Sequence, residues 1–148
     1  MSQSLVGVWL AESKMTQPEM TISSTGEKRF VNRAVVEDHI TTAITMTRFA
    51  TAPLILSVRL TSEWQLKAND TQLCERLTLF DVAVVSKPPA EIMPPLLVAE
   101  VLEQTQRELQ QKLESKRASC NAIRIISPHA FTTKDSRSGQ LIRFVRRR

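Results

Sequence analysis

The chain has 148 residues and 42% hydrophobic content, enough for one core and too little to argue for two domains. Its apolar runs are a few residues long, which excludes a membrane-spanning helix, and with only Gly7, Gly26 and Gly139 there is no Walker A or dinucleotide-type glycine loop. The net charge of +5 sits at one end, because residues 115–148 carry nine Lys/Arg against one acid (+8) and residues 1–114 carry eleven bases against fourteen acids (−3).

Taken in order, residues 5–11 (LVGVWLA) read as a short strand or as an apolar arm led by Trp9. Residues 13–19 read as a connector. Met20-Thr-Ile-Ser has strand chemistry, Ser-Ser-Thr-Gly-Glu-Lys reads as a turn, and Arg29-Phe-Val resumes an extended segment, so a first hairpin is expected. In residues 34–49, Val36, Ile40, Ala43 and Thr47 suit a helix, while the interleaved threonines also fit alternation. A shorter helix is expected over the first part, ending before Pro53.

Residues 54–60 (LILSVRL) set Leu54, Leu56, Val58 and Leu60 on one face of a strand that runs on towards Leu66. A turn at 68–71 leads to another long strand over 73–85. The connection 86–95 holds Pro88, Pro89, Pro94 and Pro95, four of the seven prolines, and is too stiff to continue a sheet or a helix interior. Residues 94–120 then carry the strongest pattern in the chain. Val98, Leu102, Thr105, Leu109 and Leu113 recur at steps of three and four, which draws one apolar stripe down a long helix opened by a proline pair. Glu103 with Arg107 and Glu108 with Lys112 stand four apart on its wet side. Two short strands, 122–126 and 141–145, close the chain around a polar turn at 134–139.

These elements predict a single α+β domain over 1–148, an antiparallel or mixed sheet packed against one long and one shorter helix, with a proline-rich connection 86–95 and a basic end 143–148. Cys74 and Cys120 are expected as reduced, buried thiols, since residues 1–4 lack the basic start of a secretory leader and a cytoplasmic protein follows from that.

Catalytic signals are sparse. His39 and His129 lie in no HExxH or GxSxG motif, and no CxxC or HxxxH spacing supports a metal site, so no enzyme activity, metal, cofactor or small-molecule substrate is expected. The arginines carry more. Arg124 and Arg143 alternate with Ile126, Leu141 and Val145, which directs them to an outer face, and Arg137, Arg146, Arg147 and Arg148 extend the patch. Such a surface binds nucleic acid, nucleoprotein or an anionic membrane. Trp9, Pro88 and Pro89 are candidate subunit contacts in a homo-oligomer.

Met20-Thr-Ile, Arg29-Phe30, a helix-like 34–47, the aliphatic strand from Leu54, Leu66-Lys-Ala68, the proline-rich connection, the long helix and the final strand pair together resemble the core layout of rhabdovirus-type matrix proteins. That resemblance implies a viral, basic, non-enzymatic, self-associating scaffold that joins a nucleocapsid to a membrane. The chain differs from that family in lacking a PPxY motif and in carrying its bases at the C-terminal end. An RNA- or DNA-binding regulator, or a viral suppressor of host defence, is the alternative expectation.

Overall fold

The stretch VVEDHITTAITM has seven β-branched residues in twelve, and in the computed structural model, which describes residues 5–46 and 52–147, it is an extended strand. Crowding of branched side chains against a helical turn works against a helix here, while a pleated surface accommodates them. The shorter helix expected over 34–49 is therefore absent from its described part; residues 47–49 lie outside the described residues.

Eight strands follow one another around a closed antiparallel barrel: β1 (Gly7–Thr16), β2 (Met20–Phe30), β3 (Val35–Met46), β4 (Leu54–Lys67), β5 (Gln72–Ser86), β6 (Ser119–Ser127), β7 (Ala130–Lys134) and β8 (Leu141–Arg146). A single described helix, α1 (Pro95–Ser115), joins β5 to β6. The architecture is thus an all-antiparallel barrel with one helix, not the expected α+β sheet against two helices. Closure removes the edges that an open sheet would expose.

Local chemistry accounts for the turns. Asn32 Oδ1 accepts the backbone N–H groups of Ala34 and Val35 at 2.8 and 2.9 Å, which bends the chain from β2 into β3. Ala68, Asn69 and Asp70 all take positive φ between β4 and β5, and the Thr71 hydroxyl donates to Ala68 O at 2.6 Å. Asp135 Oδ1 holds the N–H groups of Arg137 and Ser138, and Gly139, at φ 72°, completes the turn into β8.

Two packed clusters divide the interior. At one end Leu5, Trp9, Phe30, Val36, Trp64, Leu73, Ile123 and Phe131 fill the barrel. Their rings meet edge-on, Trp9 with Phe131 at 4.6 Å and Phe30 with Trp64 at 4.7 Å between centroids. At the other end β3, β4 and β5 run past the shorter strands, and Val98 of α1, with Met93 just before it, packs against Leu54 and Leu56 of β4, with Ile44, Met46, Val84 and Val101 around them. The helical stripe read from the sequence is the packing face: Val98 is buried and Leu102, Thr105, Leu109 and Leu113 are half-buried.

The two seams of the barrel are short. β5 meets β6 over four register pairs, Gln72 to Glu75 against Ala122 to Ser119, and β1 meets β8 at Trp9–Arg146 and Leu10–Val145. Cys74 and Cys120 face each other in the first seam and form a disulfide, contrary to the expected free thiols. In the second, Arg147 N–H donates to Val8 O at 2.8 Å.

Candidate functional site in the barrel lumen

Strict alternation decides which side chains enter the barrel. Lys28 shares its face with Phe30, Asp38 with Val36 and Ile40, and Glu75 with Leu73 and Leu77, so three charged side chains point inward among apolar ones. They meet. Lys28 Nζ donates to both oxygens of Asp38 at 3.0 and 3.2 Å and to Glu75 Oε1 at 2.6 Å, which occupies its donors. Lys28 is only 7% exposed, a position an ammonium holds only when paired.

Burial on its own would lower the proton affinity of Lys28. The charges of Glu75 and Asp38, with their hydrogen bonds, outweigh it and hold the ammonium well above its ordinary range. Burial, helped by the neighbouring charge of Glu75, raises the Asp38 carboxyl despite the attraction of Lys28. The cluster thus has one cation for two carboxylates, and the second oxygen of Glu75 receives no hydrogen bond from the described residues.

This cluster lies at the floor of a cavity of about 370 Å³ to which all eight strands contribute, among them Ala11, Ser24, Gly26, Ile40, Leu60, Leu73, Asn121, Thr133, Ile142 and Phe144. Ser13, Ser24, Asn121 and Thr133 bring hydroxyl and amide groups into a lining whose apolar part is Ala11, Ile40, Leu60, Leu73, Ile142 and Phe144. At Gly26 an added Cβ would find only Ile40 Cγ1 at 3.9 Å and Ala11 O at 4.0 Å, so the glycine leaves that wall hollow. A groove of about 840 Å³ beneath α1 adjoins the lumen, with Ile40 and Leu60 lining both. Lys112, Arg117 and Arg137 line this groove together with Glu108.

The structure disperses the arginines singled out in the sequence. Arg124 and Arg143 do share the outer face, in one row on either side of Thr132 of the intervening strand. Arg137 lines the groove beneath α1. Arg146 turns inward: its guanidinium lies 4.3 Å over the Trp9 ring and donates to Pro128 O and Val6 O at 3.0 and 2.9 Å. Arg147 pairs with Glu27 at 3.1 Å, and Arg148 lies outside the described residues. Of the proposed subunit contacts, Trp9 is 1% exposed within the barrel and Pro88 is buried, so neither is open to a second subunit; Pro89 is exposed. His39 lies in an outer charged groove, where its ring bonds Ser57 at 2.9 Å, and His129 occupies the turn between β6 and β7.

Sequence reasoning passed over Lys28, Asp38 and Glu75. Among the described residues no cluster of three or more His, Cys, Asp or Glu is arranged to hold a metal ion. Compared with known proteins, the chain matches no family model and no curated sequence.

Proposed function

We propose that this protein is a non-enzymatic binding barrel that holds one small amphiphilic molecule in its lumen. The observation that carries this reading is the cavity of about 370 Å³ walled by all eight strands and floored by a bonded ion cluster. Its size lies within the ~300–1,000 Å³ of small-molecule sites, and its lining sets the ion cluster beside the apolar Ile40, Leu60, Ile142 and Phe144, a combination that can hold both ends of an amphiphilic ligand. Closed barrels of eight strands are wide enough for packed side chains or for one small ligand. The charged groups in the lumen are bonded to one another, an arrangement suited to recognition more than to proton transfer. The disulfide favours an oxidising compartment over the cytoplasmic one expected from the sequence.

Titration with the neutral fluorophore N-phenyl-1-naphthylamine tests this. Saturable one-to-one binding is expected, weakened at least about tenfold by Gly26→Leu, whose side chain grows into the lumen, with the circular dichroism unchanged. Absence of saturable binding, or equal binding by a folded Gly26→Leu variant, overturns it.

A second reading, a self-associating matrix-like scaffold that contacts nucleic acid, nucleoprotein or an anionic membrane, draws support from the outer face of β6 to β8. There the Arg124–Thr132–Arg143 row adjoins Lys134, with Ile126, Leu141 and Val145 exposed between them. Binding to an RNA oligonucleotide that weakens steeply with salt and is lost in Arg124→Glu/Arg143→Glu supports this reading. Binding unaffected by the double change removes it.

A further inference from the structure

We infer that the lumen selects a ligand with a protonated amine at its inner end and rejects one with a carboxylate there. This rests on the binding-barrel reading and specifies its ligand class. Lys28 is the one cation on the lumen floor, and its ammonium already donates to Asp38 Oδ1, Asp38 Oδ2 and Glu75 Oε1. An incoming carboxylate would find no ammonium proton to accept without breaking one of those bonds, and it would face the two carboxylates of Asp38 and Glu75. A protonated amine meets the reverse situation. The second oxygen of Glu75 has no donor among the described residues, and the side chain of Glu75 remains 22% exposed. An ammonium seated there brings the floor to two cations for two carboxylates, and its hydrogen bond to an ionised acceptor belongs to the stronger class.

The apolar body of such a ligand would lie along Ile40, Leu60, Ile142 and Phe144. The bases of the adjoining groove, Lys112, Arg117 and Arg137, do not reverse the preference, because all three are exposed and screened by salt within about 10 Å at ordinary ionic strength.

Displacement of N-phenyl-1-naphthylamine from the full chain at pH 7 by octylamine, octanol and octanoate tests the inference. Octanol, which carries no charge, reports whether the lumen takes a chain at all. Octylamine is expected to displace the probe about tenfold more tightly than octanoate. Glu75→Gln is expected to shrink that difference to about twofold. Octanoate binding as tightly as octylamine, or an undiminished amine preference in Glu75→Gln, overturns the inference and leaves the binding-barrel reading standing. Failure of all three to displace the probe overturns both. If Glu75→Gln does not fold, the comparison of octylamine with octanoate in the unsubstituted chain decides alone.

Discussion

The guanidinium of Arg146 lies 4.3 Å above the indole of Trp9, so the last described strand is clamped onto the first by stacking as well as by backbone pairing. Arg146 also reaches Pro128 O and Val6 O, which ties the turn between β6 and β7 to the start of β1. Arg146→Ala is expected to lower unfolding stability by roughly 2–4 kcal/mol, the sum of a shielded cation–π contact and charge-assisted hydrogen bonds. Arg146→Lys should recover less than half of this, since an ammonium cannot span both carbonyls and stack at once. Urea denaturation of the three proteins checks both.

Gly7 makes the clamp possible. Its φ is 136°, and a Cβ there would stand 2.5 Å from Arg146 Nη1. Gly7→Ala therefore combines backbone strain with displacement of the guanidinium, and a loss of about 2–3 kcal/mol is expected. Combined with Arg146→Ala the cost should fall short of the sum, because the second change removes the atom in the way.

Lys28→Met leaves Asp38 and Glu75 facing each other without their counter-ion. Removing one partner from a buried cluster costs about 3–5 kcal/mol, and that is the expected loss at pH 7. The deficit should shrink on acidification, because Asp38, already raised by burial and by Glu75, then takes up a proton and the repulsion ends. In the unsubstituted protein Lys28 holds its proton more tightly folded than unfolded. Its contribution is complete below the ordinary value of 10.5 and is lost as pH climbs through the higher folded value. Melting temperatures between pH 4 and pH 11 should show the first trend and the onset of the second, and a deficit that does not change between pH 7 and pH 4 would count against the ionic account.

Reduction of the Cys74–Cys120 bond should destabilise the barrel. The joined residues are 46 apart in sequence, and closing a loop of that length is worth about 4 kcal/mol in the chain-entropy picture. Hydrogen exchange should rise first in the four-pair seam between β5 and β6, since the bond lies within that short ladder and only a few backbone pairs remain there once it is cut.

The parts of this fold written in local pattern were legible: α1 from its stripe and proline pair, β4 and β5 from their alternating aliphatics, and β8 from the Leu141–Arg143–Val145 alternation. The strand β3 was misread because Val36, Ile40 and Ala43 satisfy a helical spacing that its branched residues cannot comfortably adopt. In β2 the run Ser-Ser-Thr-Gly looked like a turn, yet Gly26 lies mid-strand facing the lumen, where the missing side chain leaves space. The short β7 escaped notice, and barrel closure joins residues near opposite ends of the chain, which no local window reports. The site did leave a trace. Lys28, Asp38 and Glu75 each interrupt a row of inward apolar residues, and three such interruptions on neighbouring or facing strands call for one another, because none could stay buried alone.

The same cysteine pair that fastens the β5–β6 seam also encloses the proline-rich segment and the whole of α1 within one covalent ring. A protease that nicks the exposed backbone near Pro89 would therefore produce a single species under non-reducing electrophoresis and two fragments once reductant is added. The helical excursion can be cut open without being shed, and the barrel carries it as a tethered handle.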